Sequence, residues 1–64
     1  MERRYLLIEI DPIGGEWIID RISSYYLAVK SARYLKTKYS KDNLELRYYI
    51  NENEYQIIDY ERRQ

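Results

Sequence analysis

The sequence predicts an α+β domain of element order ββαββ, in which one helix packs on one face of a four-stranded, mainly antiparallel sheet. Apolar residues alternate with a period of two near both ends of the chain, recur about every 3.6 positions in the middle, and are separated by turn signals. At 64 residues the chain has the length of one small domain. We therefore expect a single unit over residues 1–64, whose last residues, 61–64, form a frayed tail.

The first two strands are predicted to form a hairpin. Residues 4–10 alternate in the way a strand does. Leu6 and Ile8 share one face and Leu7 lies on the other, so both faces of this strand carry apolar side chains. The next five residues, DPIGG, combine a proline that fixes φ with glycines that tolerate a positive φ, which is strong turn chemistry. The chain then returns as a second strand over residues 16–21.

The middle of the chain is predicted to form one helix over residues 25–39. Its apolar residues lie in one stripe at helical spacing: Tyr25, Ala28, Val29, Ala32, Leu35 and Tyr39. A serine hydroxyl can accept a bond from a free amide of the first turn, so Ser23 or Ser24 is the expected N-cap. At the other end, Asn43 is expected to adopt the left-handed conformation that ends a helix.

The clearest strand pattern covers residues 44–50, where apolar residues alternate with a row that carries two charges. Residues 51–53 are predicted to form a polar turn, and residues 54–60 to return as the last strand, antiparallel to the one before it. The oxygen-bearing side chains from Asn51 to Glu54 are also candidates for a hard cation such as calcium. Alternation aims them apart, however, so no metal site is predicted.

The charges fall in blocks along the chain. Residues 21–41 contain six basic residues and no acidic one. Residues 1–20 hold five acids against two bases, and residues 42–64 hold six acids against three bases. The formal net charge of zero is therefore a cancellation, and such an average conceals a candidate binding surface.

The outer face of the predicted helix concentrates this positive charge. At about 100° per residue, five residues share the arc opposite the apolar stripe: Tyr26, Lys30, Arg33, Tyr34 and Thr37. The helix contains no acidic residue that could neutralise the arc, and tyrosine with arginine is the composition of interface hot spots. We therefore predict that the arc binds an acidic surface of a protein partner.

Two other interpretations of the helix stay open. Lysine and arginine neutralise phosphate and tyrosine stacks on bases, so the alternative is a nucleic-acid interface formed by Lys30, Arg33, Lys36, Lys38 and Lys41. The cluster is modest and the sequence matches no nucleic-acid-binding motif, which favours a protein partner. The third interpretation is an ordinary solvated helix face.

One helix covers only one face of a four-stranded sheet, and the chain has more apolar residues than that face needs. If the most apolar rows face the helix, the residues left outward include Tyr5, Leu7, Trp17, Ile19 and Tyr49. A different register of the second strand leaves Ile18 with Ile22 outward instead of Trp17 with Ile19. Exposed apolar patches mark interaction sites, so the first set is the candidate face of a homodimer. The alternative is that sheet twist, edge effects and the tail hide part of this surface.

Several classes of function are disfavoured by the residue types present. The chain has no histidine and no cysteine, and its serines have no evident general base. We therefore expect a non-enzymatic protein with no cofactor and no small-molecule substrate. No stretch reaches the roughly 18 apolar residues of a membrane span, and the N-terminus does not resemble a secretion signal, so we expect an intracellular, cytoplasmic protein that does not bind membranes.

The layout is a hairpin, a helix and another hairpin in a very short chain without catalytic residues. In size and element order it is similar to small phage- or archaeal-virus-encoded proteins that bind host machinery. This resemblance implies a regulator or inhibitor that acts in the host cytoplasm. The sequence thus predicts a small protein-binding module, homodimeric and non-enzymatic, with nucleic-acid binding as the alternative function.

Overall fold

The computed structural model describes residues 2–61, which form four strands and one helix. In chain order the elements are β1 (Tyr5–Ile10), β2 (Glu16–Ile22), α1 (Tyr25–Tyr39), β3 (Leu44–Asn51) and β4 (Glu54–Ile58). The strands form one sheet in the order β2-β1-β3-β4, every neighbouring pair is antiparallel, and α1 packs on one face. The predicted α+β, ββαββ fold is therefore confirmed. Of the predicted tail, Glu61 is described, and residues 62–64 lie outside the described residues.

Side chains with oxygen acceptors close both hairpins. In the β1–β2 turn Asp11 Oδ1 accepts from the amide of Ile13 over 3.0 Å, and Gly14 has a φ of 95°, which glycine adopts without strain. In the β3–β4 turn Asn51 Oδ1 accepts from the amides of Asn53 and Glu54 over 2.8 and 3.0 Å. The polar residues of the second turn thus satisfy backbone donors, as expected of an asparagine-initiated turn.

The helix spans Tyr25–Tyr39, as the sequence predicts, but it ends in a different way from the one expected. Ser24 is the N-cap, and its hydroxyl accepts from an amide of the first turn over 3.3 Å. Ser40, with a φ of 53°, takes the left-handed conformation that we had assigned to Asn43. Asn43 instead donates from its side-chain amide to the Ile10 carbonyl over 2.9 Å, which ties the start of β3 to the end of β1.

The core lies between α1 and the sheet face beneath it, which we call the helix side; the opposite face is the open side. Leu7 of β1 and Leu46 of β3 are directly opposite each other, and both are fully buried. Ala28 and Ala32 of α1 also have no exposed surface, and their small side chains let the helix approach the sheet closely. The other buried members of the core are Ile22, Val29, Leu44 and Tyr60.

The predicted orientation of β1 was wrong. We expected Tyr5 and Leu7 to face outward, but both lie on the helix side, and Leu6 with Ile8 faces the open side. Residues directly opposite each other in a sheet share a face, and Leu7 is opposite Leu46. The apolar residues of β3 lie mainly on one face, whereas β1 has apolar residues on both faces. The pairing with β3 therefore decides which of the two apolar rows of β1 faces the helix.

The second strand contains a β-bulge, so neither of its two predicted rows is continuous. Ile19 is the extra residue, without a direct partner on β1. Trp17 lies opposite Glu9 and is on the helix side, whereas Ile18 lies opposite Ile8 and is on the open side. The bulge therefore shifts the alternation within the strand, which a regular pattern of period two does not predict.

The last strand is shorter than predicted, because the chain leaves the sheet after Ile58. The sequence assigned Tyr60 to this strand. The structure instead turns it into the core, where its hydroxyl donates to the Leu44 carbonyl over 3.0 Å. Burial raises the pKa of Tyr60, as expected for a hydroxyl that is held in its neutral, donating form.

The centre of the open side is occupied by Arg47. This side chain starts on β3, crosses β1 and reaches Glu16 on β2, where its two terminal nitrogens donate to the two carboxylate oxygens over 2.7 and 3.1 Å. Its Nε donates to Glu45, and its guanidinium carbon lies 4.4 Å from the centre of the Tyr55 ring. Only 5% of Arg47 is exposed.

This arrangement covers the apolar residues of β1 that α1 does not reach. Leu6 and Ile8 are buried, although they face away from the helix. The hydrogen bond to Glu16 is the main reason why the pKa of Arg47 is raised, with burial acting in the opposite direction and the bond to Glu45 adding to the rise. The same bond to Arg47 lowers the pKa of Glu16.

Replacing Arg47 with alanine should lower the free energy of unfolding by about 2–3 kcal/mol, because Glu16 and Glu45 then lose their cation. Urea denaturation followed by circular dichroism measures the change. Arg3→Ala is the matched control, since Arg3 is also an arginine but is exposed and forms no ion pair within residues 2–61. We expect the control to change the free energy by no more than about 0.5 kcal/mol. Equal losses in the two variants would contradict the role assigned to Arg47.

The Glu16 carboxylate should also make the stability depend on pH. Its pKa is lower in the folded protein than in the unfolded chain, so its contribution is present above the unfolded value of about 4.3 and disappears as the pH falls through the folded pKa. Denaturation curves at a series of pH values should therefore show a smaller acid-induced loss for Glu16→Gln than for the unaltered protein. Profiles that run parallel below about pH 5 would show that Glu16 is not responsible.

Candidate functional site

The five residues of the predicted binding arc all lie on α1, and all are exposed. They are Tyr26, Lys30, Arg33, Tyr34 and Thr37. The helical period places them opposite the buried alanines of the core, so the arrangement follows from the same repeat that predicts the core. In the structure these five residues nevertheless lie in three different local environments.

The N-terminal half of the arc borders an open hollow of about 410 Å³. Tyr25, Tyr26, Val29, Lys30 and Arg33 line it. Tyr26 is 67% exposed, and the Lys30 ammonium nitrogen lies 5.8 Å from the centre of its ring, within the range of a cation–π contact. Among residues 2–61, no carboxylate forms an ion pair with Lys30.

Another part of the arc contacts the C-terminal segment that follows β4. Arg33 Nε donates to the Tyr60 carbonyl over 2.6 Å. A second hollow, of about 350 Å³, lies beside it and is lined by Arg33, Lys36, Thr37 and Glu61. Arg33 therefore helps to hold the C-terminal segment against the helix, although Arg33 itself is exposed to solvent.

The third part of the arc is an aromatic cluster near the end of α1. Lys38 Nζ donates to the Tyr34 hydroxyl over 2.8 Å and lies 5.3 and 5.7 Å from the ring centres of Tyr34 and Tyr39. The two rings meet edge to face with 6.4 Å between their centres. The cation is thus held among electron-rich groups of its own helix.

The basic residues of the nucleic-acid alternative do not form one unpaired surface. Lys36 pairs with Glu61, and Lys41 pairs with Glu9 over 2.8 Å. The hydrogen bond to Glu61 raises the pKa of Lys36, and the hydrogen bond from Lys41 lowers the pKa of Glu9, as expected for groups held in their charged forms. These carboxylates would compete with a phosphate backbone for two of the five predicted cations.

A groove that the sequence analysis missed lies between α1 and β2. It has a volume of about 510 Å³, its floor includes Leu7, and its walls include Ile19, Leu27, Lys30 and Tyr34. The one hint of this groove in the sequence is Leu27, an apolar residue of the helix that lies outside the stripe facing the core. Its significance depends on Ile19, which the bulge in β2 brings to the same groove.

The residues predicted to form a dimer face do not share one surface. Tyr5 and Leu7 lie beneath α1, and Leu7 is fully buried. Tyr49 lies on the open side, where its hydroxyl accepts from Arg47. The other two, Trp17 and Ile19, are exposed at the outer edge of β2. The correction follows from the orientation of β1, which places the first two residues in the core.

Two further properties of the described residues concern membranes and metals. No helix within residues 2–61 has the length and apolarity needed to cross a bilayer. In the same part of the chain, no three acidic residues come together in a way that could hold a metal ion.

Comparison with known proteins assigns no family to this geometry. No protein-family model, no curated protein and no solved structure gives a significant match to the chain. The surface chemistry of α1 and β2 is therefore the basis for a proposed function.

Proposed function

We propose that this chain is a small, non-enzymatic protein-binding module that acts as a homodimer and contacts an acidic protein surface through the outer face of α1. The observation that carries the proposal is the pair formed by Tyr26 and Lys30. An exposed ring and an ammonium without a carboxylate partner in the described chain stand together beside an open hollow.

The chemistry of this pair matches a recognition site more closely than an ordinary solvated face. Tyrosine gives a large, rigid contact area, and it is enriched with arginine at the centres of protein interfaces. Arg33, which lines the same hollow, is already oriented by its bond to Tyr60. A partner carboxylate at the hollow would therefore meet Lys30 without displacing an internal ion pair.

A module of this kind regulates or inhibits by occupying a surface of its partner. The small size and the lack of histidine and cysteine fit such a role, which resembles that of small phage- or virus-encoded proteins that bind host machinery in the cytoplasm. Nucleic-acid binding through the same helix is the second candidate. It is disfavoured because Lys36 and Lys41 are already paired with carboxylates.

A peptide selection tests the proposed site. A displayed library of random peptides is selected against the immobilised protein, and the affinities of the enriched sequences are then measured by fluorescence anisotropy. We expect acidic peptides to be enriched, and we expect Lys30→Glu to weaken their binding at least about tenfold, because a like charge then faces the ligand. Tyr26→Ala should weaken the binding by a similar factor through the loss of buried aromatic area.

Arg3→Glu is the matched control, because Arg3 is exposed, forms no ion pair in the described chain and lies far from α1 in the sequence. It should leave the peptide affinity within about twofold of the original value. Enrichment of neutral or basic peptides, or an equal loss with Arg3→Glu, would contradict the proposal. Binding to duplex DNA with a log affinity that falls against log salt at a slope near −3.6, about four phosphate contacts, would support the nucleic-acid alternative instead.

A further inference from the structure

The outer edge of β2 is unusually apolar for an unpaired strand. The sheet order leaves β2 at one end, and three consecutive residues of this strand are largely exposed: Trp17 by 63%, Ile18 by 49% and Ile19 by 40%. Edge strands present free backbone donors and acceptors, and soluble proteins usually protect them with charges, proline or a covering segment. Within residues 2–61, no segment covers this edge.

The groove beside the edge extends the same apolar surface onto the helix. Trp17 lies on the helix side of β2, and Ile19 lines the groove opposite Leu27 and Tyr34 of α1, both of which are more than half exposed. A strand added to β2 would pair with the backbone groups of this edge, where the Arg21 amide donates to Asp20 Oδ1 over 2.8 Å in the single chain, and would also place side chains over the mouth of the groove.

We propose that the β2 strand of a second copy of this chain pairs antiparallel with β2 about a two-fold axis. The two sheets then form one continuous sheet, and each copy covers the groove of the other. This inference rests on the proposed homodimer and gives it an interface. A two-fold interface uses the same patch on both copies, so the patch must be complementary to itself.

The bulge at Ile19 provides this self-complementarity. In a regular strand, Glu16 and Arg21 would face opposite sides, but the shifted alternation puts both on the open side, opposite Ile10 and Leu6 of β1. A register that places Glu16 against Arg21 of the second copy therefore keeps both side chains on one face and forms two ion pairs related by the axis.

The same register also pairs the polar groups on the helix side. Trp17 then lies opposite Asp20 of the second copy, and both residues belong to the helix side. The indole N–H can donate to the Asp20 carboxylate, so the exposed tryptophan gains both an apolar contact and a hydrogen-bond partner. Glu16 can accept from Arg21 of the second copy while keeping its bonds from Arg47, because a carboxylate has about four acceptor positions.

Sedimentation equilibrium over a wide concentration range, with circular dichroism as a check on folding, tests the interface. We expect the unaltered protein to be dimeric. Ile18→Lys should raise the dimer dissociation constant at least about tenfold, because lysine on an edge strand opposes pairing. Arg21→Glu should do the same, since it places two like charges opposite each other. The matched control is Gln56→Lys on β4, the other edge strand, where the residue is also exposed and faces away from Arg47; it should leave the constant unchanged.

Trp17 is the only tryptophan in the sequence, and its fluorescence provides a second measurement. Its emission should shift to shorter wavelength as the concentration rises through the dissociation constant, and Arg21→Glu should move this shift to higher concentration. A dimer that is broken by Gln56→Lys but not by the β2 variants would overturn the interface while leaving the homodimer in place. A protein that is monomeric up to millimolar concentration would overturn both, and the outcome of the peptide selection at Lys30 would be unaffected.

Discussion

The rest of this structure depends on the ion pairs that the buried Arg47 side chain forms with carboxylates. One helix can cover only one face of a four-stranded sheet, and a chain of 64 residues contains no second helix among its described elements. Arg47 replaces the missing layer by crossing β1 and binding Glu16 on β2. It shields Leu6 and Ile8 from water and links three strands through one cation. Its burial is tolerable because carboxylates satisfy its donors.

The charged groups cover only the centre of the open side. Leu6 and Ile8 are buried there, whereas exposed apolar side chains remain on the two edge strands, Trp17 and Ile18 on β2 and Ile57 on β4. The acids near the helix ends are also engaged, Glu9 with Lys41 and Glu61 with Lys36. Lys30 is left beside Tyr26 without such a partner in the described residues. The proposed partner site is centred on the hollow beside Tyr26, and it adjoins the proposed dimer edge at Lys30, which also lines the groove next to β2. A dimer would present two copies of this hollow, which increases avidity for a repetitive partner.

The candidate site was predictable in part. Exposure of the arc on α1 follows from the helical period alone, because residues opposite a buried stripe must face solvent. The groove between α1 and β2 was not predictable, since Leu27 and Ile19 belong to different elements and meet only through the bulge. The sequence also contains no sign that Arg33 would bind the Tyr60 carbonyl, a contact between residues 27 positions apart.

Local patterns in the sequence determined the number, type and order of the elements, and they placed the helix at Tyr25–Tyr39, because helical spacing and a serine cap are properties of neighbouring residues. Tertiary structure alone decided which face of each strand is buried. β1 is apolar on both faces, so its orientation follows from the pairing of Leu7 with Leu46. The burial of Tyr60 and the bulge at Ile19 likewise depend on packing between segments that are distant in the sequence. These conformations are favourable only when the strands are paired, so no local pattern predicts them.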